Sequence, residues 1–176
     1  MWLSNGVHVV DRLTWVMASQ AMSVSAAIGT RAHYQASDDS ATAFIRYKNG
    51  LAGVAVSVGF ADGAPDYSCQ VICANGSLRF SQHGEKYVRV GKGDEWEDRP
   101  FVDPPAEFTN EWIAFSEAIE QNLEPATHGR YGRHIMEIIF AAEESAITNE
   151  EVILESGLGW ASQPTGEPTS INHGWI

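Results

Sequence analysis

Two alternating segments on either side of Asn49-Gly50 constrain the fold more than any other feature. Residues 39–47 alternate, with Ala41, Ala43, Ile45 and Tyr47 on one side, and residues 51–60 alternate again after the turn. Alternation with a period of two is typical of a strand with one buried face. An Asn-Gly pair supplies the positive φ angles that a tight two-residue turn requires. The sequence therefore predicts an antiparallel β-hairpin here.

The second strand of this hairpin has two faces that differ in side-chain size. One face is made of small residues, which are Gly53, Ala55, Ser57 and Gly59. The other face is mainly large and apolar, with Ala52, Val54, Val56, Val58 and Phe60. Small side chains let a helix, a ligand or another subunit approach the sheet closely.

Other segments add further strands. A second pair, Asn75-Gly76, predicts a hairpin between residues 67–73 and the strand that carries Leu78 and Phe80. A Gly-Lys-Gly-Asp loop at 91–94 separates two short candidates, and Pro104-Pro105 closes the β-region. The remaining predicted strands are 22–34, 86–90, 96–101 and 152–154.

Three segments have helical periodicity, at residues 6–18, 108–122 and 130–148. The middle segment has a strongly aromatic face, and we expect it to pack in the core. That face consists of Phe108, Trp112, Phe115 and Ile119.

Together these elements predict an α+β fold, with an open, mainly antiparallel sheet and helices on one face. The other face would be available for oligomerisation, since a broad apolar sheet face is usually covered by a second subunit. We expect a sheet domain at residues 1–155 and a loosely ordered tail at 156–176, where Gly, Ser, Pro and Thr accumulate around Trp160 and Trp175.

The composition excludes several classes of function. The 176 residues carry a net charge of −12, which argues against binding to nucleic acid or to an anionic membrane surface. The sequence has no signal peptide pattern and no window of transmembrane length. Cys69 and Cys73 have neither redox nor zinc spacing, and we expect core or near-core thiols in a cytoplasmic protein.

The beginning of the first helix carries Gly6, His8 and Asp11 in the pattern G-x-H-x-x-D. Gly6 permits a sharp bend or a close approach to a ligand. The His8 imidazole can exchange a proton near neutral pH, or it can make a structural hydrogen bond at the helix start. Asp11, one turn later, can orient His8, contact a substrate or bond to backbone. Two such residues are too few for a metal site, so we expect none.

A second group of polar residues surrounds the start of the last helix. His128 and His134 lie close to Arg130 and Arg133 in an otherwise acidic chain. This group could contact a substrate or a cofactor phosphate. The alternative is a solvated helix start or a subunit contact.

In this order and spacing, the motifs resemble the C-terminal domain of the glucose–fructose oxidoreductase / inositol dehydrogenase (Gfo/Idh/MocA) family. The resemblance runs from about Ser4 to Leu154. It rests on the segments Gly6–Asp11, Asp38-Asp39, Tyr47–Gly50, Asn75–Leu78, Glu111–Ile119 and Glu124–Thr127, and on the helix through Ser145.

The resemblance implies a two-domain NAD(P)-dependent oxidoreductase acting on a sugar-like or polyhydroxylated small molecule. His8 would be the general acid/base, with Ser4 and Asp11 as substrate-binding residues. Ser4 stands where the family's pattern has an Asp, so it brings no charge. The chain would contribute the substrate-binding and oligomerisation half, as a homo-oligomer built through the open sheet face.

The nucleotide-binding half is not among these residues, because the sequence has no G-x-G-x-x-G and no Glu-Lys-Pro segment. NAD or NADP would bind to the full-length enzyme. We expect the isolated chain to be inactive and to bind no dinucleotide. The alternative is a stand-alone binding or oligomerisation module without redox chemistry.

Overall fold

A computed structural model describes residues 1–59, 63, 65–81, 83–101 and 108–158. In chain order, the helices are α1 (Val7–Met17), α2 (Thr109–Glu120) and α3 (Gly129–Thr148), and a π-helical turn (Trp2–Gly6) precedes α1. The strands are β1 (Ala21–Gly29), β2 (Ser40–Tyr47), β3 (Ala52–Val58), β4 (Ser68–Cys73), β5 (Gly76–Ser81), β6 (Tyr87–Lys92), β7 (Glu95–Arg99) and β8 (Val152–Ile153). The α+β class is confirmed.

The strands form two antiparallel four-stranded sheets, each in its own compact unit. The first unit contains described residues 1–59 and 124–158, and the second contains those from 63 to 123. Hairpin signals identify the strands that pair within a hairpin. They do not determine which hairpins join into one sheet, so the sequence did not reveal this division.

The first unit has the strand order β3-β2-β1-β8, with α1 and α3 packed on one face. The small residues of β3 let α1 approach, because a Cβ atom on Gly53 would lie 2.6 Å from Leu13 Cδ1. On α3 the apolar stripe Ile135, Ile138, Ile139 and Ala142 is buried against this sheet. A helix therefore covers the small face of β3, one of the three alternatives left open by the sequence.

The opposite face of this sheet is exposed along β2, β3 and β8. Val56 is 51% exposed and Ile153 is 69% exposed, and Phe44, Val54 and Val58 are also exposed. We call this set of five residues the open sheet face. It is apolar, as the alternation of β3 predicted, but Phe60 lies outside the described residues.

The second unit is a meander with the strand order β4-β5-β6-β7. Its turns lie at the predicted places, with Gly76 at φ +151° and Gly93 at φ +61°. The Arg79 guanidinium lies 4.4 Å from the centroid of the Trp96 ring, across the sheet. Such a contact stabilises an exposed sheet by about 0.5–1 kcal/mol.

The structure corrects three predictions. The aromatic face of α2 is not in the core, since its residues Phe108, Trp112, Phe115 and Ile119 are each at least half exposed. Cys73 is exposed and Cys69 is only partly buried. The strand predicted at 22–34 ends at Gly29. Pro104-Pro105 and residues 159–176 lie outside the described residues.

The first strand ends early because Asp39 organises the loop that follows. Its carboxylate accepts hydrogen bonds from the backbone N–H groups of Arg31, Ala32 and His33, at 2.6–2.8 Å. Those N–H groups are therefore unavailable for pairing in a strand. Residues whose backbone N–H groups bond to a nearby side chain do not pair with a neighbouring strand. The alternation of apolar residues does not reveal such bonds.

None of the helices in the described part of the chain has the length and apolar content that crossing a membrane requires.

Candidate active site

The candidate active site lies on the exposed side of the first helical segment. Ser4 belongs to the π-helical turn, and His8 and Asp11 lie one turn apart on α1. Ser4 and His8 are exposed, and Asp11 is half-buried. The Ser4 hydroxyl donates to the Met1 carbonyl at 3.2 Å. The structure thus brings the three predicted residues to one continuous segment, with His8 open to solvent.

The opposite side of this segment is anchored by Trp2. Its side chain is fully buried, and its Nε1–H donates to the Ile139 carbonyl of α3 at 3.1 Å. Gly6 has an ordinary helical φ of −61°. A Cβ atom there would lie 2.3 Å from Trp2 Cε3, so Gly6 is needed for the approach of the indole ring. The glycine of the motif therefore packs against a tryptophan of this chain, and it makes no sharp bend.

Asp38 and Asp39 lie just before β2, and they fix two different segments, the chain start and the loop after β1. Asp38 accepts from the nitrogen atoms of Met1 at 3.0 Å and Trp2 at 2.5 Å. Burial raises the pKa of Asp39, but the N–H groups of Arg31, His33 and Ala32 outweigh burial and lower this pKa to about 2. Asp39 is fully buried in the structure and remains ionised at neutral pH. Both carboxylates therefore have structural hydrogen bonds.

Asp11 is held by a residue that the sequence analysis did not identify, Tyr131 of α3. The Tyr131 hydroxyl donates to Asp11 Oδ1 at 2.5 Å and lies 3.4 Å from the Asp11 carbonyl oxygen. Burial, together with the hydrogen bond and charge of Asp11, raises the pKa of Tyr131. The carboxylate therefore makes its side-chain hydrogen bond across to α3 rather than along α1 to His8.

A sequence signal for Tyr131 existed. Residues 131, 135, 138 and 142 lie on one face of the last helix, and that face is apolar apart from the tyrosine. A tyrosine on a buried stripe needs a partner for its hydroxyl. The partner belongs to another helix, and a helical pattern contains no information about which helix will face it.

Tyr47 makes a second, more buried contact with α1. Its hydroxyl is 3.3 Å from Thr14 Oγ1. Burial raises the pKa of Tyr47 to about 12, while the Thr14 hydrogen bond opposes that rise. Like the Tyr131–Asp11 pair, this pair joins the hydroxyl of a buried tyrosine to a residue of α1, but it contains no carboxylate.

The two histidines of the polar group at the start of α3 have structural hydrogen bonds. His128 is buried and caps the helix, with Nδ1 accepting the Tyr131 N–H at 3.1 Å. His134 is fully buried, accepts the Ala21 N–H at 3.1 Å on Nε2, and contacts Ser156 Oγ at 2.9 Å through Nδ1. Burial lowers the pKa of His134. Neither imidazole is solvated, whereas Arg130 and Arg133 are exposed, so the helix start is solvated at the arginines only. A contact with a substrate, a cofactor phosphate or a second subunit stays a prediction.

The chemistry available at the site follows from these contacts. The described residues contain no group of three or more His, Cys, Asp or Glu side chains that could hold a metal ion. An exposed imidazole and a half-buried carboxylate lie on one helix face. The imidazole can transfer a proton, and the carboxylate can accept a hydrogen bond from a hydroxyl group.

The family model described as GFO/IDH/MocA C-terminal domain matches residues 1–79. That range contains the whole candidate site except Tyr131. A search of curated proteins finds no match.

Solved oxidoreductases share the fold. An aldose-aldose oxidoreductase from Caulobacter crescentus, complexed with glycerol, has 18% identity and a TM-score of 0.72, covering 85% of this chain and 46% of that chain. A levoglucosan dehydrogenase with NADH and L-sorbose has 18% identity and a TM-score of 0.72, covering 87% and 49%. An Agrobacterium radiobacter oxidoreductase with NAD⁺, L-tartaric acid and magnesium has 16% identity and a TM-score of 0.69, covering 87% and 48%.

At these identities the likeness shows the fold alone. The chain spans about half the length of each of these three structures.

Proposed function

From its match to the GFO/IDH/MocA C-terminal domain, we propose that this chain is the substrate-binding and oligomerisation domain of an NAD(P)-dependent oxidoreductase. Its substrate would be a sugar-like or polyhydroxylated compound. The main support is the exposed His8 beside a carboxylate that Tyr131 fixes in place. Glycerol and L-sorbose, which are bound in two of the structural relatives, are polyhydroxylated and fit this substrate class.

His8 is proposed as the general acid/base. Oxidation of an alcohol removes a hydride from carbon and a proton from the hydroxyl oxygen of the same group. In the proposed step the imidazole takes that proton, and in the reverse reaction it returns it. Its exposure leaves the ring accessible to a substrate, and Trp2 fixes the helix that carries it.

The dinucleotide itself does not fit these residues. The sequence has no glycine-rich turn between a strand and a helix, which is the usual cradle for a pyrophosphate. NAD or NADP would therefore be held by residues other than these. We propose that this chain supplies proton transfer and hydroxyl binding, and that alone it neither turns over substrate nor binds NADH at micromolar concentration.

Ser4 supports a second candidate, a binding or oligomerisation module without redox chemistry. The hydroxyl is exposed and can bond to a substrate, but it adds no negative charge near His8. The hydrogen-bonding ability of a serine suits ligand binding as well as catalysis. His8 and Asp11 favour the enzyme domain over this module.

The open sheet face is the proposed site of homo-oligomerisation, because five apolar side chains are exposed there. We also propose a cytoplasmic location. The proposed macromolecular partner is a second copy of the chain, and we propose no nucleic acid and no membrane as partners.

Ligand binding by the chain tests the proposed function. Saturation-transfer NMR with myo-inositol and D-glucose should detect binding, and His8→Gln should weaken it. His83→Gln is the matched control, since that histidine belongs to the second unit and contacts Tyr67. Binding of neither probe, or equal binding by the His8 and His83 variants, would contradict the proposal. Binding of NADH at micromolar concentration would contradict its second part.

A further inference from the structure

We infer that Tyr131 is a positioning residue that commits Asp11 to binding a ligand hydroxyl rather than to orienting His8. The inference rests on the proposed function, because it concerns the same site. It assigns a role to a residue outside the G-x-H-x-x-D pattern and outside the matched range 1–79.

The first support is the geometry of the bond. The Tyr131 hydroxyl lies 2.5 Å from Asp11 Oδ1, a short contact of the kind made between a hydroxyl donor and a carboxylate. The same hydroxyl also lies 3.4 Å from the Asp11 carbonyl oxygen. Two contacts from one atom restrict both the side chain and the backbone of Asp11, so the carboxylate has one orientation.

The second support is the rigidity of the donor. Tyr131 is 6% exposed, and its backbone N–H is held by the imidazole of His128. The first turn of α3 is therefore fixed at the point from which the hydroxyl projects. A buried aromatic ring has few rotamers available, so it fixes its hydroxyl at little cost in entropy.

The consequence for Asp11 follows from the two oxygens of a carboxylate. Oδ1 receives the Tyr131 hydroxyl, and Oδ2 takes no part in that bond. A half-buried carboxylate held by one oxygen can accept a ligand hydroxyl with the other. If Asp11 instead turned to His8, the Tyr131 hydroxyl would lose its short hydrogen bond to a charged acceptor, which is costly.

A double-mutant cycle tests the inference on the chain itself. Affinity for myo-inositol and D-glucose is measured for wild type, Asp11→Asn, Tyr131→Phe and the double variant. We expect each single change to weaken binding by about tenfold, as for a charge-assisted hydrogen bond. The double variant should be no weaker than the worse single variant, since both changes remove one unit. Additive losses would overturn the inference.

Tyr47→Phe is the matched control, because it removes a buried hydroxyl that also bonds to α1. It should leave affinity within about twofold of wild type. If it weakens binding as much as Tyr131→Phe does, the effect of both is merely structural and the inference is wrong.

A ligand-free measurement separates this inference from the proposed function. The χ1 rotamer of Asp11, obtained from NMR scalar couplings, should be single in wild type and averaged in Tyr131→Phe, but unchanged in Tyr47→Phe. If wild type binds no polyol yet these rotamers behave as expected, the proposed function fails and the positioning of Asp11 stands. An unchanged Asp11 rotamer in Tyr131→Phe overturns the inference whatever the ligand result.

Discussion

At Gly6 a hydrogen atom occupies the space that a methyl group would need, because the Trp2 ring lies against the backbone. Gly6→Ala should lower the free energy of unfolding by about 1–3 kcal/mol, the usual cost of overpacking. Chemical denaturation measures this effect. Gly132→Ala is the matched control, since nothing lies within 4 Å of a Cβ atom at that position in α3. Replacing this glycine, the fourth residue of α3, should stabilise the protein by up to about 0.5–1 kcal/mol. Equal effects at the two positions would contradict the packing argument.

Asp39 makes the stability of the first unit depend on acid pH. The pKa of Asp39 is lowered in the folded state, so its contribution is complete above the ordinary pKa near 4. It is lost as the pH falls from about 4 towards the folded value of about 2. Asp39→Asn should therefore lower Tm at neutral pH. In this variant Tm should also decrease less than in wild type as the pH falls from about 4 to about 2. Melting curves between pH 2 and 7 check this, with the exposed turn residue Asp94 changed to Asn as control. If Tm decreased equally with falling pH in the Asp39 and Asp94 variants, Asp39 would not be the source of the acid dependence.

At the scale of elements, His134 connects α3, β1 and the segment after β8. Its imidazole accepts the Ala21 N–H and bonds to Ser156, whose hydroxyl in turn donates to Glu137. Glu137 Oε2 lies 3.9 Å from Nδ1 and is the charged group facing the ring. Protonation of the ring would place a donor against the Ala21 N–H donor, so the neutral form is the folded one.

This arrangement predicts a second pH dependence, at milder acidity. The pKa of His134 is lowered on folding, so the unfolded chain takes up the proton first. Stability is complete above the ordinary pKa of about 6.5 and falls as the pH drops through and below that value. His134→Gln keeps an acceptor but does not titrate, so its stability should vary less between pH 7 and 5. Urea unfolding at several pH values measures this slope. In Asp39→Asn, the unfolding free energy should vary with pH between 7 and 5 as it does in wild type. If His134→Gln showed the same variation as wild type, the argument would be refuted.

The two long helices show what a pattern can predict. Helical spacing identified an apolar face on both α2 and α3, and both helices are present near the expected bounds. On α3 that face is buried, while on α2 Trp112 is 70% exposed. Periodicity reports which side chains share a face. It contains no information about what covers the face, because that depends on elements distant in sequence.

A comparison of substitutions on the two helices checks this difference. Ile138→Ala, on the buried face of α3, should cost about 2–5 kcal/mol of unfolding free energy. Trp112→Ala should change it by less than about 0.5 kcal/mol, as for an exposed site. Both are measured by chemical denaturation at one pH. A cost above 2 kcal/mol at Trp112 would mean that α2 packs in the folded chain.

The candidate site was only partly predictable, for a related reason. His8 and Asp11 could be found because they are close in sequence and lie one helical turn apart. Tyr131 could not be paired with Asp11, since 120 residues separate them. Trp2 and Gly6 are only four residues apart, and their contact is local. The sequence did not predict it, because a glycine in such a motif indicates a bend or a close approach to a ligand rather than packing against an indole ring.

At the scale of the whole molecule, the chain shares its fold with part of three solved oxidoreductases and spans about half of the length of each. One face of the first sheet is occupied by α1 and α3, which position the candidate site. The other face is apolar and exposed. The proposed ligand site therefore lies on the helical side, and the proposed contact with a second copy lies on the open sheet face.

The last prediction concerns this open sheet face. Sedimentation velocity at micromolar concentration should show a dimer or tetramer, with each interface burying more than roughly 1,000 Å². Val56→Glu places a charge in the middle of β3, between Val54 and Val58 of this face, and should raise the dissociation constant by more than about tenfold. Ile72→Glu on β4, 78% exposed in the second unit, is the matched control and should leave assembly unchanged. Val56 is already half exposed in the single chain, so its substitution should not unfold the monomer, which circular dichroism verifies. A wild-type monomer, or an oligomer disrupted equally by both substitutions, would show that a second copy does not cover this face.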